Sequence, residues 1–300
     1  MTILSRRAAL GGLLAASTSG VANSAASQPL RRTPSGLRIA SSDNAADRVS
    51  FRTRLLVSGP SPQRYENSAP PSGVEQIEYT SGDLTLKAWV GRPVTNSDNL
   101  AAVVFAHGGF AFGAEDFEMA RPYLDAGFVV ITPMVRAENG MPGAYTMFYN
   151  EVDDIVAAGA YARALRNVDP SRVFLAGHRV GGTSAMLAAQ ASTQFRASAS
   201  FSGSPDQVTF CEAWERIVPF DLTNATELEM RSPLSYAASF KAPARLFHAV
   251  GEVCGPDMEL TAGVARAAGR DVQVRAVPGD HFSAVPAAMA QSIAFFNMLA

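Results

Sequence analysis

The sequence predicts an α/β fold in which a mostly parallel central sheet carries helices on both faces. Two observations lead to this prediction. Short apolar runs alternate with longer stretches of helical periodicity along most of the chain, which is typical of parallel strands joined by crossover helices. In addition, 47% of the 300 residues are hydrophobic, which is enough to fill the core of one large domain.

The first 26 residues have the order of an export signal. A Ser-Arg-Arg segment at residues 5–7 precedes a short apolar stretch, and small residues at 24–26 suit a cleavage site of the A-x-A kind. The paired arginines resemble the twin-arginine type. We therefore expect the protein to be exported to the periplasm or secreted, an amphipathic N-terminal helix being the alternative.

Residues 27–73 are rich in proline, serine and arginine and have no periodicity. This composition predicts a linker or a loose arm over the domain. The pattern changes at residue 74, so we expect the folded domain to span residues 74–300.

Within the domain, residues 74–79 and 84–90 alternate apolar and polar side chains around Ser81-Gly82-Asp83, which predicts a hairpin. Six further strands are predicted at residues 101–106, 128–132, 173–176, 197–201, 245–250 and 272–277. Helices are predicted at residues 150–166, 180–190, 259–268 and 284–298. The loops at the carboxyl edge of such a sheet are where a functional site is expected.

Composition excludes several classes of partner. The formal net charge is −2 and no long basic run occurs, so a nucleic-acid surface is not expected. No apolar stretch reaches the roughly 20 residues of a membrane-spanning helix. Histidines and cysteines occur without i, i+4 or C-x-x-C spacing, so we expect no metal and no other cofactor.

The segment 173–182 reads as a buried strand, a glycine-bounded turn and the start of an alanine-rich helix. Its turn, Gly177-His178-Arg179-Val180-Gly181, has the form of the G-x-S-x-G nucleophile elbow, with Arg179 at the position of the serine. A guanidinium has no nucleophilic oxygen and stays protonated, so the usual acyl-enzyme route is closed at this position.

Together with this elbow, the Ala-His-Gly-Gly sequence at residues 106–109 resembles the oxyanion loop of α/β-hydrolases. The sequences Arg-Ala-Glu-Asn-Gly at 136–140 and Asp-Pro-Ser-Arg at 169–172 are similar to the prolyl oligopeptidase and dienelactone hydrolase branch. The resemblance covers residue 74 to the C-terminus. It implies an α/β-hydrolase fold and the activity of a serine esterase or peptidase.

The resemblance also implies the remaining catalytic positions. His281, which follows the last strand, matches the catalytic histidine, unless it is only a packed loop histidine. Aligning residues 248–252 with the family's H-G-x-x-D assigns Glu252 as the acid, whereas a shifted alignment places Cys254 there. His107 and His178 are expected to serve packing and hydrogen bonding.

The oxyanion hole is assigned by the same resemblance to backbone amides. The amides concerned are those of Gly108, Gly109, Phe110 and Val180. The alternative is that the two glycines only allow the strand to turn.

Residues 203–240 lie where this family carries a lid. Its apolar side chains, expected to line a ligand pocket or to pack the lid itself, are Phe210, Trp214, Ile217 and Phe220. Cys211 and Cys254 follow neighbouring strands, and a disulfide between them suits an exported protein, two unpaired thiols being the alternative.

Two functions remain open. The first is a hydrolase-fold protein without serine catalysis that binds a small molecule, with Arg179 and the amides favouring an anionic ligand. The second is an active hydrolase of ester or peptide bonds with a non-standard nucleophile or an activated water. The hydroxyl groups weighed as replacement nucleophiles are those of Thr183, Ser184, Ser202 and Ser204.

Overall fold

The computed structural model describes residues 31–95 and 97–300. The export signal predicted for residues 1–26 therefore lies outside the described residues. Among the described residues, no helix is long and apolar enough to cross a membrane.

The fold is built on one eight-stranded sheet with the strand order β1-β2-β4-β3-β5-β6-β7-β8. The strands are β1 Val74–Ser81, β2 Leu84–Gly91, β3 Leu100–Ala106, β4 Val129–Pro133, β5 Val168–His178, β6 Ser198–Phe201, β7 Ala244–Ala249 and β8 Val272–Val277. The first two strands form the predicted antiparallel hairpin, β2 also pairs with β4 antiparallel, and all other pairs are parallel. The predicted, mostly parallel sheet is confirmed.

Helices cover both faces of this sheet. They are α1 Asn44–Ser50, α2 Ala114–Asp125, α3 Asn150–Ala164, α4 Val180–Ala191, α5 Gln207–Ala213, α6 Ala225–Glu229, α7 Gly255–Ala267 and α8 Val285–Asn297. Two 3-10 helices, Glu215–Ile217 and Pro233–Ser239, lie between β6 and β7. The four predicted helices correspond to α3, α4, α7 and α8, whereas the others were not predicted.

The core consists of two layers, one on each side of the sheet. Strand β3 shows the division, because Ala102 and Val104 belong to one layer and Val103 and Phe105 to the other. Helices α3, α4 and α7 contribute to the first layer, and α2 and α8 to the second. Side chains of successive strand residues point to opposite faces, so residues 101–106 of this strand are all buried, and only Leu100 is partly exposed.

The segment predicted as a linker or loose arm is packed on the domain. Its helix α1 is capped by Asp43, whose carboxylate accepts from two amides. Farther along, Thr53 and the amide of Arg54 donate to Glu227, while the fully buried Arg231 donates to Thr53. These hydrogen bonds hold the segment on the domain although its sequence has no apolar periodicity. We call residues 31–73 the arm.

The turn from β5 into α4 depends on close approach of backbones. A Cβ atom on Gly181 would lie 2.0 Å from the carbonyl oxygen of Ala106, and one on Gly177 would lie 2.2 Å from the carbonyl oxygen of Gly181. Real Cβ contacts are never that short. Both positions therefore require glycine for steric reasons.

We predict that Gly181→Ala lowers the free energy of unfolding by about 3 kcal/mol or prevents folding, since rigid backbone on β3 must move to admit the methyl group. The matched control is Gly263→Ala in helix α7, where a Cβ atom would meet nothing within 4 Å. That change should stabilise the protein by about 0.5 to 1 kcal/mol. Urea unfolding measures both, and equal effects would contradict the steric explanation.

Candidate functional site

Arg179 occupies the tip of the elbow at the carboxyl edge of the sheet. It separates β5 from α4 and adopts φ 53° and ψ −115°, a region that residues other than glycine rarely occupy. Its amide donates to the carbonyl of Phe201 at 2.9 Å. The elbow thus keeps its strained shape with an arginine at its tip, and the side chain is exposed.

His281 and Glu252 are brought together by the loops after β8 and β7. The Nδ1 atom of His281 bonds Oε1 of Glu252. The other carboxylate oxygen accepts from the Ser202 hydroxyl at 2.7 Å and from the Ala249 amide at 2.8 Å. Burial opposes ionisation of Glu252, but these three hydrogen bonds outweigh it and lower the pKa of Glu252.

Arg179 has no anionic partner among the residues that the structure describes. Among residues 31–95 and 97–300, no carboxylate forms an ion pair with its guanidinium. Its Cζ atom lies 5.7 Å from the ring centre of Phe282, a half-exposed residue. The carboxylate of Glu252, which lines the same cleft, bonds His281 and Ser202 instead. The charge of Arg179 is therefore available to a ligand.

The loop after β3 lies against the elbow. A Cβ atom on Gly108 would be 3.2 Å from Nδ1 of His178, so glycine permits this approach. Of the amides assigned to an oxyanion hole, that of Phe110 donates to Oε1 of Gln63 in the arm at 2.9 Å. Helix α4 begins at Val180 without a side-chain cap, and the first amides of a helix have no partner within it.

The two remaining histidines near the elbow are buried. Nε2 of His107 bonds Glu138 at 2.8 Å; burial alone would lower the pKa of His107, but the charge and hydrogen bond of Glu138 outweigh burial and raise it to about 9. Burial, with the nearby charges of His281 and Arg179, lowers the pKa of His178 to about 4. Its Nε2 lies 3.3 Å from the carbonyl oxygen of His281. The side chains of His107 and His178 thus form hydrogen bonds that connect the loops around the site.

An open cleft of about 770 Å³ lies over the elbow. Arg179, Val180, Glu252 and His281 line it together with the loop 108–110. The apolar lid residues in its wall are Phe210, Ala213, Trp214 and Ile217. Phe220, expected to line the same pocket, is instead buried, and the guanidinium of Arg231 lies 3.9 Å from its ring centre.

Among the described residues, none of the hydroxyl groups considered as replacement nucleophiles donates a hydrogen bond to His281. Ser202 donates to Glu252, and Ser204 donates to the carbonyl of Asp206 at 3.0 Å. Thr183 donates to the carbonyl of Ser204 at 3.2 Å. Ser184 is buried and lines a separate small cavity beneath the elbow.

The disulfide predicted between Cys211 and Cys254 is wrong, because both cysteines are free thiols. Cys211 is fully buried on helix α5, whereas Cys254 is the N-cap residue of α7. Burial raises the pKa of each thiol to about 12, so neither is a reactive thiolate at neutral pH.

Two residues of the site escaped prediction. Ser202 was considered only as a nucleophile, although its place at the end of β6, beside β7, suits a bond to Glu252. Gln63 lies 47 positions before its partner Phe110, in a segment without periodicity, and no sequence signal indicates its contact. Among the described residues, no group of three or more His, Cys, Asp or Glu side chains has an arrangement that could hold a metal ion.

Comparison with known proteins agrees with this architecture. The family model of the dienelactone hydrolase family matches residues 86–281. A search of curated protein sequences finds no significant match.

Several solved structures share the fold. The acylaminoacyl peptidase of Pyrococcus horikoshii is 20% identical, with a TM-score of 0.59 over 75% of this chain and 40% of that one. A puromycin-hydrolyzing peptidase of Mycobacterium tuberculosis is 22% identical, with a TM-score of 0.64 over 77% and 40%. The esterase Est2 of Thermogutta terrifontis is 19% identical, with a TM-score of 0.59 over 75% and 93%. The chain thus spans less than half the length of the two peptidases. At these identities the likeness shows the fold alone.

The pair His107–Glu138 generates a prediction for stability against pH. The pKa of His107 is raised from its ordinary 6.5 to about 9 in the folded state. Its stabilisation is therefore complete below pH 6.5 and is lost as the pH rises through 9, on the order of 3 kcal/mol. Glu138→Gln should remove this alkaline decline, as measured by urea unfolding from pH 6 to 9.

The matched control is His178→Asn. Because the pKa of His178 is lowered to about 4, its contribution is present above pH 6.5 and is lost as the pH falls towards 4. This variant should therefore keep the alkaline decline. If Glu138→Gln retained the full decline as well, another group would be responsible.

Proposed function

The chain belongs to the dienelactone hydrolase family. We propose that it has lost serine catalysis and binds small carboxylates that carry an aryl or alkyl group. The observation that carries this proposal is the unpaired guanidinium of Arg179 at the elbow tip, over a cleft that an intact His281–Glu252 pair also lines.

Loss of serine catalysis follows from the chemistry at the elbow. Arginine supplies no nucleophilic oxygen, so a covalent acyl intermediate cannot form there. The hydroxyl groups of Ser202 and Ser204 donate to other acceptors, and Ser184 is buried in a different cavity. These contacts support a site that has kept the geometry of the family without its nucleophile.

Preference for an anion follows from charge. Arg179 offers a planar fork of donors to a carboxylate. The uncapped start of α4 adds free amides and the positive end of the helix dipole on the same side. No acidic residue occupies the first turn of α4. Asp206, Glu252 and Asp257 also line the cleft, so a carboxylate ligand is favoured only at the end where Arg179 and the start of α4 outweigh these charges.

Preference for an apolar body follows from the walls of the cleft. Phe110, Phe210, Trp214 and Ile217 line it beside Arg179. Such side chains favour aryl or alkyl groups, since burial of apolar area stabilises a complex in proportion to that area. An arylalkanoate such as phenylacetate combines the two features.

A second function is favoured by one observation. The bond of His281 to Glu252 leaves Nε2 of the imidazole without a protein partner among the described residues, as required of a general base. This pair can activate a water molecule, and the protein would then be a slow hydrolase of esters or peptides.

The binding proposal is tested by calorimetry with acetate, phenylacetate and phenylphosphonate. We predict that wild type binds phenylacetate more tightly than acetate, and that Arg179→Gln weakens phenylacetate binding about tenfold by removing a charge-assisted hydrogen bond. The matched control is Arg166→Gln, which removes an exposed arginine at the opposite edge of the sheet. Equal affinities of the two variants would contradict a site at Arg179.

Catalysis is tested by restoring the serine. We predict that Arg179→Ser hydrolyses p-nitrophenyl acetate about a hundredfold faster than wild type, because the hydroxyl would stand at the elbow tip near the His281–Glu252 pair. Adding His281→Asn should abolish the gain. Robust turnover by wild type that His281→Asn removes and Arg179→Gln leaves intact would favour the water-activating hydrolase instead.

A further inference from the structure

The arm reaches the functional site through residues 59–63, which we call the strap. The carbonyl of Gly59 accepts from the Tyr145 amide at 2.9 Å, and the amide of Ser61 donates to the carbonyl of Ala137 at 2.9 Å. The hydroxyl of Ser61 donates to the carbonyl of Phe110. The strap is therefore fixed to two loops of the domain, one of which is the loop of Phe110.

Gln63, the last residue of the strap, lines the cleft and is exposed to solvent. Pro62 and Gln63 line it together with Arg179 and Val180. The carboxamide rests against Gly109, where a Cβ atom would be 2.9 Å from Oε1 and 3.1 Å from Nε2 of Gln63. A methyl group at position 109 would therefore displace this carboxamide from its present place.

The carboxamide oxygen of Gln63 accepts a hydrogen bond from the Phe110 amide at 2.9 Å. This bond is exposed to solvent, so water could satisfy the amide equally well and the bond adds little to folding. Fold stability does not explain it. The carboxamide oxygen of Gln63 accepts the hydrogen bond that the Phe110 amide would otherwise donate to an oxygen of a bound anion.

We infer that Gln63 is a specificity-determining residue of the cleft, which holds the Phe110 amide in the place of a ligand oxygen. The inference rests on the proposed function. With this amide taken, the fork of Arg179 and the start of α4 remain the positively charged donors for an anionic group. Two donors of a fork match the two oxygens of a carboxylate, whereas a phosphonate has a third oxygen that must compete with Gln63 for Phe110.

The test compares phenylacetate and phenylphosphonate in calorimetry with wild type and Gln63→Ala. Removing the competing carbonyl should raise affinity for phenylphosphonate about fivefold, because one exposed hydrogen bond becomes available to the ligand. Affinity for phenylacetate should change less than about twofold. The matched control is Asn67→Ala, which truncates an exposed amide farther along the arm and should change neither affinity.

A second variant tests whether position 63 lies close to the bound anion, and the sign of the Gln63→Ala effect separates competition from donation. Gln63→Glu places a negative charge at the same position and should weaken binding of both ligands, more strongly than Asn67→Asp, which adds the same charge farther away. If Gln63→Ala weakened phenylphosphonate binding, Gln63 would be a donor to the ligand and the inference would be overturned.

Hydrogen exchange of the Phe110 amide, measured by NMR without any ligand, makes the test independent of binding. Exchange should be faster in Gln63→Ala than in wild type and unchanged in Asn67→Ala. Unchanged exchange in Gln63→Ala would overturn the inference. If exchange accelerated but neither protein bound either anion, the proposed function would fail while Gln63's hold on the Phe110 amide stood.

Discussion

The contact between the elbow and strand β3 is the constraint on which the site depends. Gly181 approaches the carbonyl of Ala106 so closely that a single methyl group cannot be admitted. This contact fixes the start of α4 against the end of β3, and with it the loop that carries Phe110. The strained backbone of Arg179 follows from the same geometry, since β5 must turn into α4 within one residue. The turn is therefore set by its glycines, whatever side chain its tip carries.

An arginine at this tip creates an electrostatic imbalance. The positive end of α4 and the guanidinium of Arg179 lie side by side, a like-charge arrangement that costs about 0.3 to 1 kcal/mol near a helix end. The buried Arg231, by contrast, bonds Glu227 at 2.6 Å. At the elbow, the adjacent carboxylate of Glu252 already accepts three hydrogen bonds. Only solvent or a ligand remains to compensate the charge.

Much of the fold could be predicted from sequence, because its signals are local. Strand β8 was predicted with its observed bounds, and the hairpin of β1 and β2 followed from alternation around Gly82. Helix α2 was missed although its apolar residues have helical spacing; it contains Pro122, a residue that usually ends a helix. Of the site, Arg179 was assigned from the elbow motif, and His281 and Glu252 from the resemblance to α/β-hydrolases; the structure brings all three to one cleft.

The prediction that failed concerns long-range packing. The pairing of Cys211 with Cys254 was inferred from adjacent strands, but adjacency does not determine which way a side chain points on a helix. Polar bonds such as that of Thr53 to Glu227 attach the arm to the lid. The arm therefore packs there without apolar periodicity in its sequence. Contacts of this kind join residues far apart in sequence, and no local pattern marks them.

The arrangement of hydrogen bonds explains how the His281–Glu252 pair can remain intact beside an arginine. Each oxygen of Glu252 is satisfied by His281, Ser202 or the Ala249 amide, and none of these bonds involves residue 179. The imidazole is thus oriented by the loops after β6, β7 and β8 alone. Since none of these bonds involves the side chain at the elbow tip, the residue at that tip determines the chemistry of the cleft without disturbing the pair beside it.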